Sequence, residues 1–222
     1  DPTVTSLVTA SMVAGDDDFS AAPVNGLAGG GTATVFTNDT LNGLPFAPAA
    51  VTASIIANGG LAGVAISAAG TLTIPAGTPA NTHTVTYRIC EVAVPANCDT
   101  ADAIVVIGAA AIAAIDDDFS ATPVVGLTGG ITATVFINDS LNGAPFLPAS
   151  VGASITADGG LAGVSLNPSG TINVPAATPA GSYTVTYQIC EVLNPANCNT
   201  GDVIVAVSAA AIVANDDNFL AF

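Results

Sequence analysis

Cations are almost missing from this chain. Of 222 residues one is Arg, Arg88, none is Lys, and 17 acids give a net charge of −16. Without a Lys or Arg cluster nothing can neutralise phosphates, which excludes nucleic acid as a partner. Adhesion to anionic lipid fails for the same reason. Trp is absent, His and Met occur once each, and Glu91 and Glu191 are the only Glu, so the usual agents of catalysis are scarce and no enzyme is expected. The longest apolar runs, 103–115 and 203–214, fall short of the roughly 20 residues of a spanning helix. No membrane insertion is expected. Disorder is excluded as well, because the charge accompanies 50% hydrophobic residues rather than a dearth of them.

What the chain does contain is a repeat. Residues 11–110 align without a gap on 111–210, with 63 identities in 100 positions. Asp16-Asp17-Asp18-Phe19 matches Asp116-Asp117-Asp118-Phe119, and Ile89-Cys90-Glu91-Val92 matches Ile189-Cys190-Glu191-Val192. Residues 1–10 line up loosely with 101–110, and 211–222 resemble the head of a further copy. A period of this length is too long for a solenoid turn and right for an autonomous domain. The expected organisation is therefore a terminal or donated strand at 1–10, units at 11–110 and 111–210, and the start of another unit, or an inter-subunit linker strand, at 211–222.

Each unit reads as strands. Gly and Pro punctuate at short intervals, and β-branched residues fill the gaps. From Thr82 to Cys90, His83, Val85, Tyr87 and Ile89 fall on one face, and Thr84, Thr86, Arg88 and Cys90 on the other. The run after Asp102 is continuously apolar, as in a central or covered strand. About seven short strands per unit predict tandem immunoglobulin-like antiparallel β-sandwiches of Greek-key type. Phe19, Phe36, Phe46 and Tyr87 are expected to supply the bulk of each core.

Cys90/Cys98 and Cys190/Cys198 flank a Pro-Ala-Asn turn, so the two sulfurs of each pair should meet across a hairpin. Zinc is the rival reading, but two Cys without His partners make an incomplete site. Disulfides imply an oxidising, extracellular location. The triplets Asp16, Asp17, Asp18 and Asp116, Asp117, Asp118 could form part of a calcium cage, completed by Asp39 and Asp102 or by Asp139 and Asp202, because calcium takes six to eight oxygen ligands. The plainer reading is a solvated linker. Asn38-Asp39-Thr40 and Asn138-Asp139-Ser140 satisfy the rule for N-linked sugar at Asn38 and Asn138. A weakly charged surface also needs a cover, either glycan or neighbouring protein.

Asp-Asp-x-Phe at the head of a unit, Val-Phe-x-Asn-Asp-[Thr/Ser]-Leu-Asn-Gly further on, and Tyr-x-Ile-Cys-Glu-Val-x-x-Pro-Ala-Asn-Cys near its end resemble a known repeat class. It is the tandem immunoglobulin-like or cadherin-like repeat of large secreted Bacteroidetes surface proteins. The resemblance implies a bacterial cell-surface location, a β-sandwich fold and a role as stalk, adhesin or filament. It also implies calcium between units. O-linked sugar in Asp-[Ser/Thr]-apolar sequences points to Thr40, Ser140 and Thr100, whereas Asn199-Thr200-Gly201 departs from that pattern.

The expected function is structural: a module of an extracellular fibre whose units stack head to tail, with copies of itself as partners and covalent glycan as decoration. Strand donation by Val4-Thr5-Ser6-Leu7-Val8 is one way of joining. The alternative is an adhesin module that binds a ligand or glycan. His83 becomes Tyr183 and Arg88 becomes Gln188, so neither belongs to a site shared by both units, and His83 is expected to pack.

Overall fold

The computed structural model describes residues 11–215. The expectations for 1–10, strand donation included, and for 216–222 lie outside the described residues. The chain divides at Ala110/Ala111 into two compact units. Each is described by itself.

Among its described residues the first unit has ten strands: β1 (Met12–Val13), β2 (Asp17–Asp18), β3 (Val24–Asn25), β4 (Gly30–Thr34), β5 (Thr40–Leu41), β6 (Val51–Ala57), β7 (Ala65–Ile66), β8 (Thr71–Ile74), β9 (Asn81–Glu91) and β10 (Cys98–Gly108). One sheet has the order β2-β10-β9-β6, with β3 also on β10, and the other has the order β4-β8-β7. The two short strands β1 and β5 pair with each other. The second unit repeats this as β11 (Ile112–Ala113), β12 (Asp117–Asp118), β13 (Val124–Val125), β14 (Gly130–Thr134), β15 (Ser140–Leu141), β16 (Val151–Ala157), β17 (Ser165–Leu166), β18 (Thr171–Val174), β19 (Gly181–Glu191) and β20 (Cys198–Ser208).

The all-β sandwich is as expected, with one amendment. The sheets are not wholly antiparallel, because β2 and β3 run parallel to β10. The opening segment first pairs with β5, then crosses to the β2-β10-β9-β6 sheet. Two-residue strands are what such a crossing leaves, and they raise the strand count above seven.

β9 and β10 carry the core. Their side chains alternate, and Val85, Tyr87 and Ile89 are fully buried. Ala103 and Ala101 lie opposite Val85 and Tyr87, so small residues make room for the large ring. Leu72 and Ile74 of β8, in the facing sheet, and Val35, in the 3-10 turn after β4, close the same cluster. The three Phe residues only flank it. Phe36 and Phe46 meet edge to face with centroids 5.4 Å apart, and Phe19 is half-buried, so aliphatic residues rather than rings fill the centre. Nor is the run after Asp102 buried throughout. It alternates, and Ile104 is 37% exposed, because β10 is central within its sheet but covered on one face only.

One glycine is fixed by close approach. Gly59 has φ +58°, and a Cβ there would lie 2.0 Å from the Thr84 carbonyl oxygen. The Asn58-Gly59-Gly60 turn thus presses its backbone against β9, beside His83.

Candidate functional site

The Tyr87 side chain points inward from the middle of β9, and its hydroxyl emerges at the head of the unit. A buried phenol needs a partner for its hydrogen. Here five acceptor atoms surround it: Gly15 O at 3.0 Å, Asp17 Oδ2 at 3.1 Å, Asp39 Oδ1 at 3.2 Å and Oδ2 at 3.4 Å, and Val35 O at 3.4 Å. Asp39 is 2% exposed, and its Oδ1 also accepts from the Gly15 N–H at 2.8 Å. The second unit rebuilds the knot. The Tyr187 hydroxyl lies 3.0 Å from Ile115 O and 2.9 and 3.1 Å from the two Asp139 oxygens, and Ile115 N–H donates to Asp139 Oδ1 at 2.8 Å. Asp117 is 9% exposed, and its Oδ2 is buried without a hydrogen bond.

One phenolic hydrogen cannot satisfy this many oxygens. The consequence is electrostatic. Burial pushes the Asp17 carboxyl up to about 6, with the Tyr87 hydroxyl opposing and the charges of Asp39 and Asp16 adding to the rise. Burial followed by the charge of Asp139 does the same for Asp117, also to about 6. Asp39 and Asp139 are raised by burial against the pull of the Gly15 or Ile115 N–H. Tyr87 and Tyr187 are pushed upward by burial and by the neighbouring carboxylates, so both phenols keep their protons. At the head of each unit, burial therefore shifts these carboxyls toward the protonated form.

The other acids of the triplets turn elsewhere. Asp16 Oδ1 accepts from the Asp102 N–H at 2.9 Å, while Asp102 Oδ1 accepts from Thr86 Oγ1 at 2.6 Å. Asp116, Asp202 and Thr186 repeat the arrangement at 2.9 and 2.7 Å. Asp18 and Asp118 are exposed, and hydrogen bonds from the Ser20 and Ser120 side chains, and then from their N–H groups at 2.8 Å, lower their carboxyls. Of the ten acids expected to ligate calcium, the fold brings together Asp17 with Asp39 and Asp117 with Asp139, and pairs Asp16 with Asp102 and Asp116 with Asp202. Among the described residues no group of three or more His, Cys, Asp or Glu is placed to hold a metal ion.

Cys90 and Cys98 face each other across β9 and β10 and are joined, with Cα atoms 4.1 Å apart; Cys190 and Cys198 are joined in the same way. Below each bridge, Asn97 Nδ2 donates to Glu91 Oε2 at 2.8 Å while its Oδ1 accepts from the Met12 N–H at 3.1 Å, which ties the hairpin to β1.

The sugar positions differ in access. Asn38 and Asn138 are exposed, but Nδ2, the atom that would carry sugar, donates to Asp16 O at 2.8 Å and Asp116 O at 3.0 Å. Thr40 and Ser140 are half-buried in β5 and β15, and Thr100 is exposed on β10 opposite Arg88. Reading the residues alone missed Tyr87, Asn97 and Asp99. The inward parity of Tyr87 on β9 was the available signal, since a buried hydroxyl must be answered by something.

No family model and no curated protein matches the chain. Among solved structures it is similar to mouse cadherin-23 domains EC22–24, with 12% identity and a TM-score of 0.35 over 90% of this chain and 65% of that one. Human desmocollin-1 ectodomain gives 9% and 0.36 over 91% and 42%. An endo-fucoidan hydrolase of glycoside hydrolase family 107 gives 10% and 0.36 over 91% and 29%. The chain thus spans less than two thirds of each of these structures, and the strand order above, not these scores, defines the class: two tandem, disulfide-bonded β-sandwich repeats.

Proposed function

We propose that the chain is a structural module of an extracellular bacterial surface fibre, extended by head-to-tail stacking of sandwich units. The observation that carries this reading is duplication of the knot. Tyr87, Asp17 and Asp39 recur as Tyr187, Asp117 and Asp139, and in both units they face inward to hold the sandwich rather than outward to a substrate. Catalysis is no part of the reading. The two disulfides support an oxidising compartment.

Glycan at Thr100, Thr40 and Ser140, and calcium between units, belong to the same proposal. Antibody raised against the chain should label intact cells or shed fibres, with label removed by external protease. Label that appears only after lysis would overturn the reading.

A further inference from the structure

The two units differ at one inward position of β9. His83 in the first is Tyr183 in the second, and the rings turn opposite ways. His83 is 9% exposed and swings toward the Asn58-Gly59-Gly60 turn, with Nδ1 3.0 Å from Gly59 O. Tyr183 swings the other way, and its hydroxyl donates to Pro179 O at 2.8 Å. Its ring lies along Gly181, where a Cβ would sit 3.6 Å from the ring carbons.

What Tyr183 fills in the second unit is open in the first. A depression of about 370 Å³ is lined there by Gly60, Pro75, Thr78, Pro79, Asn81 and His83, among others. That volume is at the lower end of ordinary small-molecule sites. Asn81 replaces Gly181 and does not close it. The 3.6 Å separation seen at Gly181 is ordinary van der Waals contact, and the Asn81 Oδ1 is turned away to the Thr82 N–H at 2.8 Å. His83 and Pro79 both line the space. Gly59 O can only accept, so His83 Nδ1 carries the hydrogen in that contact. Pro79 O is the counterpart of the carbonyl that takes the Tyr183 hydroxyl. A flat ring bearing one hydroxyl donor matches both the shape and the polarity, and the protein supplies that ring itself one unit further on.

We propose that the first unit binds a phenolic ring, a tyrosyl side chain or a small phenol, in the depression between His83 and Pro79 whose counterpart is occupied by Tyr183. The site is specific to one unit, so it lies outside the duplicated structural role and does not depend on it.

His83 is the only His in the chain, and its imidazole protons therefore give a clean magnetic-resonance reporter on the unaltered protein. Titration with p-cresol should shift them saturably, with one ligand per chain. Toluene, which lacks the hydroxyl, should bind about fivefold more weakly, the worth of one net hydrogen bond. N-acetyl-tyrosinamide in a parallel arm separates a tyrosyl partner from a free phenol. His83→Tyr should remove p-cresol saturation transfer while leaving the melting transition in place, and Tyr183→His should raise the stoichiometry to two. Absence of a saturable His83 shift, equal binding of toluene, or binding that survives His83→Tyr would overturn the proposal.

Discussion

Asparagine in place of Asp117 should stabilise the second unit at pH 8 and about half as much at pH 5. Asp117 is 9% exposed, its carboxyl is raised to about 6, and Asp139, Asp116, Tyr187 and Asn138 are the groups acting on it. In an unfolded chain the same acid titrates near ~3.9. The folded unit therefore holds a proton that the unfolded chain has released between about pH 4 and pH 6, so stability falls as pH rises through that window and levels off above it. Lifting an acid this far corresponds to about 3 kcal/mol at most; water reaching the head of the unit reduces this to about 2 kcal/mol. Asn imitates the protonated acid and carries no charge to bury. Urea denaturation of wild type and Asp117→Asn, each at pH 5 and pH 8, measures the difference. The wild-type midpoint for this unit should be lower at pH 8, and the variant should lose most of that dependence. Equal destabilisation of the variant at both pH values would refute the argument, since it would mean that the carboxylate itself, as anion or cation ligand, is what the fold requires.

Tyr87→Phe removes the single donor that five oxygens share and should cost the first unit about 1–3 kcal/mol in urea denaturation, the usual penalty for stranding buried acceptors. Replacing Cys90 and Cys98 together by Ser should cost about 2.5 kcal/mol, the chain-entropy value for so short a loop, read as a lower melting midpoint that reductant reproduces in wild type. A chelator should lower the melting temperature of the protein if calcium joins its units as proposed; an unchanged transition discards that part of the proposal. Peptide mapping by mass should find glycan at Thr100 before Thr40 or Ser140, since only Thr100 is exposed, and unmodified Asn38 and Asn138.

Legibility followed period. β9 was plain in the sequence because nine residues alternate without a break, and that parity alone placed Val85, Tyr87 and Ile89 in the core. β2 and β3 were not, because two residues carry no period, and their parallel seat on β10 depends on a crossing that local pattern does not encode. The Phe residues misled for a related reason. Size argues for burial, but Phe36 and Phe46 stack on each other at the margin while Leu61, Leu72 and Ile89 fill the centre. At the site, the Asp residues stood out as charges, whereas the atom that gathers two of them is a hydroxyl 48 residues from Asp39 and 70 from Asp17. Adjacency in sequence suggested one cage from Asp16, Asp17 and Asp18; alternation along an extended backbone sends neighbours to opposite sides.

The concentration of acids at the head of each unit then has a local cause. Between the end of β1 at Val13 and the start of β2 at Asp17 the chain leaves one sheet for the other, and the amides in transit have no ladder partner. Side chains take them: Ala14 N–H donates to Asp99 Oδ2 at 3.0 Å, and Gly15 N–H to Asp39 Oδ1 at 2.8 Å. With one Arg in the whole chain, ion pairs could not have organised these carboxylates, and backbone amides do so instead. The second unit shows what the first of these positions demands. There Asp99 is replaced by Asn199, and Ala114 N–H donates to its neutral Oδ1 at 3.2 Å. An oxygen acceptor is required at that place, not a negative charge. Asp39, Asp17 and Asp139 meet the tyrosine hydroxyl where burial makes charge expensive, and Asp117 is buried beside them. The upward shift of these carboxyls, together with the phenolic hydrogen, makes an acid less costly in the interior without a cation to match it.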